Sequence, residues 1–412
     1  MKCKFKSILA LAIALMMCVT MLPTAAFAAT NAVDKTITTA DELVAFADEV
    51  SGRNGYTQNN YRNKTIVLGK DIDMTGKTMY PIGTQGKPFQ GIFDGQNHKI
   101  ENLTMSYETT SSIKVGLFGY VTGNGTANKE ATYGIVKNLN LVNVNANNSS
   151  AESSSNSNES STGVAVATLS NGLIDNVKTD SDSSASGVYR VGGICGDIRT
   201  YGRVKNCINN ATVKGSSQYT GGIVGATHEL AALSPNVRAA YVTDCQNEGS
   251  VEGNAQVGGI IGYCDRSYVT GCTNSGTVKG NASYGVGGIV GADIYNQVRL
   301  QTLCPKILSV ITECNNSGSV TANAGFAGGI LGAIIVAPGD SQPTEYNLES
   351  ELTDCHNTGV ITGPTATCGG VYGSPNTYAH GPASEYVNHL WVKMSNCTSS
   401  DGNLSPCEYV IK

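Results

Sequence analysis

From about residue 116 to 397 the apolar positions come in runs of two or three, mostly β-branched, closed off by glycine or asparagine. Runs such as Gly222-Ile223-Val224-Gly225 and Gly276-Thr277-Val278-Lys279-Gly280 have strand length and carry too much glycine for a helix. The leader breaks this pattern. There Leu43, Phe46, Ala47 and Val50 fall on one helical face behind a capping box of Thr39 and Glu42, so a short helix is predicted before the first strand at residues 66–68.

The runs repeat. Val191-Gly192-Gly193-Ile194-Cys195-Gly196 recurs at residues 221–225, 257–262, 286–291, 327–332 and 368–373, with a divergent copy at 115–119 and a degenerate one at 163–167. A second motif, C-x-N-x-[GA]-x-[VI]-x-[GA], starts at Cys207, Cys245, Cys272, Cys314 and Cys355. From each cysteine to the second glycine of the next doublet the distance stays at 14 to 16 residues, whereas from doublet to next cysteine it ranges from 13 to 27. One half of the repeat is therefore rigid and the other accepts insertions.

The shortest repeat is 29 residues, too short to bury both faces of its own strands, so neighbouring copies must stack. The predicted fold is all-β: a right-handed parallel β-helix or β-solenoid of about eight coils with a short N-terminal capping helix. Equivalent residues of successive coils then form ladders about 4.8 Å apart. One ladder is Cys207, Cys245, Cys272, Cys314, Cys355 and Cys397. A second is Asn209, Asn247, Asn274, Asn316 and Asn357, and a third, apolar one is Val213, Val251, Val278, Val320 and Ile361. Leu139 and Val177 hold the cysteine position in two earlier coils, which marks that position as a core slot.

Composition agrees with tight turning, since 49 of 412 residues are glycine and only 14% are charged. The formal charge of −5 includes no basic stripe, which argues against a nucleic-acid partner. Lys2, Lys4 and Lys6 precede an apolar run over residues 8–22 and an Ala26-Phe27-Ala28 site, the pattern of a secretory signal cleaved after Ala28. The expected organisation is a signal peptide at 1–28 and a leader continuous with the solenoid at 29–112. Repeats follow at 113–397, with a flexible Ser/Asn-rich loop at 145–162, and a C-terminal cap at 398–412. No membrane span is expected in the mature chain, and a monomer is expected.

The glycine units Gly116-Leu117-Phe118-Gly119 and Gly222-Ile223-Val224-Gly225 resemble those of the GLUG-motif repeat proteins of bacterial cell surfaces. The leader is similar too, through Thr39-Ala40-Asp41-Glu42-Leu43, Asp71-Ile72-Asp73, Pro81-Ile82-Gly83 and Phe93-Asp94-Gly95. The resemblance implies a bacterial secreted or cell-surface β-solenoid of adhesin-like kind.

Chemistry-bearing residues are sparse. Cysteines stacked in one ladder point the same way, poor disulfide geometry, so they are expected to be reduced core residues. Pairing among Cys195, Cys264, Cys304, Cys368 and Cys407 stays open. No C-x-x-C or paired histidine spacing suggests a metal site, and in His228-Glu229-Leu230-Ala231-Ala232 an alanine replaces the second ligand of a zinc protease motif. Asp197, Asp265 and Asp293 follow three glycine motifs out of register and read as solvated turn carboxylates, with a lyase-like or hydrolase-like acid cluster as the alternative. Asp71, Asp73 and Asp94 lack the spacing of a calcium cage. The long insertions leave from the same half of the repeat. They bring Tyr241, Tyr295, Tyr346, Tyr372, Tyr378, Tyr386 and Trp391, with His380 and His389, to one edge. Rings among amides and hydroxyls suit stacking on sugars or docking a protein, while tucking the loops onto the solenoid is the plainer role.

The expected function is therefore a secreted repeat scaffold that binds an extracellular glycan or a host or surface protein, without cofactor and without catalysis. The ligand-binding candidates are Tyr241, Tyr295, Tyr346, Tyr378, Tyr386 and Trp391. A carbohydrate-active β-helix enzyme and a purely structural spacer are the alternatives.

Overall fold

In the computed structural model, residues 32–105, 114–123, 134–148, 160–228, 240–281, 284–296, 307–337, 345–364, 368–374 and 387–403 are described. Two compact units divide the chain, Met1–Val33 and Asp34–Lys412, and the solenoid belongs to the second. The segment 1–28 lies outside the described residues.

Among the described residues the strands stack in parallel into sheets of 19, 15 and 8 strands, called sheets 1, 2 and 3, which the chain visits in that order on each turn. Each strand of sheet 3 marks one coil: Phe118–Thr122, Val166–Ser170, Cys195–Arg199, Val224–His228, Ile261–Cys264, Val290–Asn296, Leu331–Ala337 and Tyr372–Ser374. These are the eight coils expected. Sheet 1 adds a rung after them, Val387–Ser395 with Thr398–Ser399, and rungs before them, Thr65–Leu68 with Ile72–Asp73 and Val33–Ile37.

At the N-terminal end the capping box forms as read, with Glu42 N–H donating to Thr39 Oγ1, and the helix α1 (Ala40–Ser51) ends at Gly52 in a left-handed cap. Its buried face of Leu43, Phe46, Ala47 and Val50 closes the solenoid interior. The Phe46 ring lies 5.9 Å from that of Phe89 and 6.0 Å from that of Phe93, and both of these touch Phe118 of the first coil. An aromatic plug thus shields edges that would otherwise be open to pairing.

Sheet 1 bends once in every coil, at the residue before the cysteine. Asn138, Asn176, Asn206, Asp244, Gly271, Glu313, Asp354 and Asn396 all have φ between 50° and 65° there. The next residue is turned inward: Leu139 pairs with Val177, then come Cys207, Cys245, Cys272, Cys314 and Cys355, all buried. Each thiol of the column donates to the carbonyl two residues before it, as Cys245 does to Thr243 at 3.2 Å. Two positions on, the asparagine ladder runs unbroken. Nδ2 of Asn209, Asn247, Asn274 and Asn316 donates to Oδ1 of the next asparagine at 2.7–2.8 Å, and Thr179 Oγ1 donates into its start. Every one of these buried amides also donates to the carbonyl two residues ahead, so the column is satisfied within itself.

Val213, Val251, Val278, Val320 and Ile361 are successive partners in sheet 2, as expected. The glycine doublet forms the corner between sheets 2 and 3. A Cβ on Gly259 would lie 2.1 Å from the Gly288 carbonyl and 2.5 Å from Asn274 Cγ, so the doublet packs directly on the asparagine ladder. The last glycine of the motif serves a different contact: a Cβ on Gly225 would lie 2.5 Å from the backbone of Arg190. The ends of the sheet 2 strands therefore fold flat against the outer side of sheet 3, which is buried on both faces. Ala226, Tyr263, Ala292, Ile294, Phe326, Ala333 and Ile335 fill this outer seam as a second, smaller core, with the Tyr219 and Tyr263 rings 4.6 Å apart.

The expected loop at 145–162 is shorter than read. Asn145–Asn147 pairs with Ser184–Ser186, and Ser161–Gly163 pairs with Lys114–Val115 and Val191–Gly192, because polar residues here carry the same ladder bonds as β-branched ones. Residues 149–159 lie outside the described ones.

Candidate functional site: the outer face of sheet 1

Sheet 1 keeps its interior side for the core and turns its other side to solvent. Alternation along each strand therefore produces outward columns that run along the solenoid axis. One column is Ile92, Ile135, Leu173, Arg203, Tyr241, Tyr268, Val310, Glu351 and Lys393, all half-buried or exposed. Within it the rings of Tyr241 and Tyr268 stack, with centroids 5.5 Å apart and planes 16° from parallel. The Arg203 guanidinium sits 4.7 Å from the Tyr241 centroid. Arg203 and Tyr268 belong to the coils on either side of Tyr241, so Tyr241 is held between a cation and a second ring.

Tyr241 is accordingly a strand residue of sheet 1 rather than part of an insertion. Its partner Tyr268 was not singled out from the sequence, because it sits in a coil with no insertion. Their alignment follows only from register, Tyr241 opposite Tyr268.

The insertions do share one edge. Their flanks are the ends of sheet 3 strands at His228, Asn296, Ala337 and Ser374 and the starts of sheet 1 strands at Ala240, Ile307, Glu345 and Val387. In the last coils these flanking strands also run past the length of earlier ones. In sheet 3, Ile294, Tyr295 and Asn296 pair with Ile335, Val336 and Ala337. In sheet 1, Glu345–Thr353 pairs throughout with Val387–Ser395. The extended strands carry three of the expected binding residues. Tyr295 is opposite Val336 in sheet 3. Tyr346 is opposite Asn388 in sheet 1. Trp391 is opposite Glu349 in sheet 1. Tyr372 is a buried core residue opposite Leu331, not a surface ring. Tyr378, Tyr386 and His380 lie outside the described residues.

The carboxylates read as solvated are buried. Asp197 accepts from Arg199 Nε at 2.7 Å in the seam outside sheet 3, whereas Asp293 points into the opposite, interior side. There it accepts from Ser309 Oγ at 2.7 Å and Ser350 Oγ at 2.6 Å, in a fully buried group with Thr227, Cys264 and Ser267. Asp265 lies beside Arg266 at 3.4 Å. The reason is the folded-back seam, which covers an edge that a simple coil would expose. The three do not gather into one exposed acid cluster. Asp71 and Asp73 are held below the usual carboxylate range, chiefly by the Lys99 backbone N–H and the Asn102 amide respectively. Asp94 takes donors from Gln96 and Asn138. These oxygens meet hydrogen-bond donors, not one another.

All nine described cysteines are free thiols, among them Cys195, Cys264 and Cys368; Cys304 and Cys407 lie outside the described residues. Burial pushes the Cys195, Cys245 and Cys314 thiols well above their ordinary value, and burial with the nearby Asp293 charge raises Cys264 to about 12. No described helix is long and apolar enough to cross a membrane.

No protein-family model matches the chain, and no curated protein matches it either. Among solved structures it is similar to a protein described as a "putative immunoglobulin A1 protease" from Bacteroides ovatus. The two share 16% identity over 89% of this chain and 84% of that one, with a TM-score of 0.43.

Proposed function

We propose that this chain is a secreted extracellular binding scaffold of the GLUG-repeat kind. Its ligand engages the outer face of sheet 1 and the edge where the insertions leave. The observation that carries this reading is the concentration of irregularity. In coils that otherwise repeat residue by residue, insertions and strand extensions fall at one corner, beside the Arg203–Tyr241–Tyr268 stack and Trp391. A rigid solenoid with variable segments at one edge is the arrangement by which scaffolds present binding groups. The secretory signal pattern at 1–28 supports export.

The test replaces segments 229–239, 297–306, 338–344 and 375–386 by short Gly/Asn turns and probes both proteins on an array of glycans and extracellular matrix proteins. The expected outcome is capture by the parent chain, loss in the replaced variant, and an unchanged β spectrum in circular dichroism. Capture that survives the replacement together with Tyr241→Ala and Trp391→Ala sinks the proposal. Release of new reducing ends from a captured glycan replaces it with an enzymatic function.

A further inference from the structure

Beside the aromatic column of sheet 1 runs a second outward column whose chemistry changes halfway along the molecule. In the first four coils it alternates in sign: Asp94, Lys137, Asp175 and Lys205. Neighbours there neutralise each other, Lys137 with Asp94 at 3.2 Å and Lys205 with Asp175 at 3.4 Å. From the fifth coil on, every rung is a small hydroxyl residue in strict register: Thr243, Thr270, Thr312, Thr353 and Ser395. The four threonines are half-buried and the serine is exposed. The switch coincides with the first ring of the neighbouring column, Tyr241.

We infer that this row of hydroxyls is the binding track for an uncharged, extended β-linked glycan lying along the solenoid axis, one sugar per coil. The inference rests on the binding function proposed above and names the ligand class. Three features select that ligand. Neighbouring rungs are about 4.8 Å apart, only slightly less than the advance per residue of an extended β-1,4-linked pyranose chain, so over a run of a few rungs each sugar can bring a hydroxyl within reach of one threonine. At three of the five rungs the neighbouring column presents apolar surface, the ring edges of the stacked Tyr241 and Tyr268 and the side chain of Val310, against which the C–H groups of the same sugars can lie. The corner residues that flank the track on its other side include Asp244, Glu313 and Asp354. Carboxylates accept hydrogen bonds from sugar hydroxyls and repel polyanions, so a neutral polymer is favoured over an acidic one.

The experiment titrates the mature chain with β-1,4-linked gluco- and N-acetylgluco-oligosaccharides, dimer to heptamer, by calorimetry. Affinity is expected to rise with each sugar up to about five, the number of rungs, and then to level off. A triple variant Thr270→Val, Thr312→Val and Thr353→Val keeps β-branched strand residues and removes three hydroxyls. It is expected to bind the pentamer about tenfold or more weakly, since each hydrogen bond contributes a net factor of a few. The corresponding Thr→Ser variant is expected to bind like the parent. Two results overturn the track while leaving the scaffold function standing. One is oligosaccharide binding that the Val variant leaves intact and the insertion replacement abolishes. The other is capture of a protein or a polyanionic glycan with no binding of the neutral series. Absence of ligand capture of any kind overturns both.

Discussion

Glu313 is the residue that fits its place least well. The bend of sheet 1 needs a positive φ in every coil. Asparagine, aspartate or glycine supplies it elsewhere, residue types that tolerate the left-handed region through a short side chain or none. Glu313 has φ 55° with neither advantage, and it stacks next to Asp354 on the adjoining rung, a like charge. Glu313→Asn is therefore expected to stabilise the chain by about 1 kcal/mol, the scale of the left-handed penalty. A higher urea midpoint with an unchanged slope is the readout, and an unchanged or lower midpoint contradicts the argument. The signal for this bend was present in the sequence, since asparagine, aspartate or glycine stands before most of the ladder cysteines. Composition alone does not expose it, because a residue type shared by loops and bends reveals nothing until register fixes which positions align.

At the scale of the element, the thiol column shows what repetition makes legible and what it hides. The column itself was readable because Leu139, Val177 and the cysteines trade places at one position, as only a core slot allows. The asparagine column was readable too, although its head-to-tail amide bonds and its packing on the glycine doublet emerge only in the fold. Hidden were the seam outside sheet 3 and the Tyr241–Tyr268 stack. Both arise between segments whose spacing the sequence does not repeat, so Asp197, Asp265 and Asp293 looked exposed. The buried thiols have a measurable consequence. The folded values of Cys195, Cys245, Cys264 and Cys314 lie above the ordinary thiol value of about 8.5, so above that pH the unfolded chain loses protons that these four keep in the folded one. Their contribution is fully present below about pH 8.5 and declines as pH rises toward the folded values, Cys264 reaching about 12. Each such thiol lowers stability by up to about 1.4 kcal/mol per pH unit across that window. Urea midpoints between pH 8 and 10 should fall. The fall should shrink in a Cys245→Val, Cys314→Val variant, and an equal slope in both proteins would show that the column does not titrate on unfolding.

For the whole molecule, the decisive property is that each coil meets only its neighbours, so stability is close to a sum of coil and interface terms. The charged tracks, the hydroxyl track and the capped N-terminal end are then modules placed on an axis, and a coil can be removed if every column closes again. Excising residues 245–271 joins Asp244 to Cys272. It sets Asn209 against Asn274, Val213 against Val278 and the Gly221 strand end against Gly287, all pairs that already stack through an intermediate rung. The shortened chain should fold with its β spectrum intact and lose stability roughly in proportion to one coil. Excising 245–270 instead leaves one residue too many. It turns the cysteine and asparagine positions outward for the rest of that face, because side chains alternate with a period of two. That variant should fail to give soluble protein, or should melt far lower. If both deletions behave alike, the ladders do not set the register and the glycine corners alone must do so. Because the in-register deletion also removes Tyr268 and Thr270, it shortens the hydroxyl track by one rung. The oligosaccharide length at which affinity levels off should then drop by one sugar, tying the repeat's geometry to its proposed ligand in a single measurement.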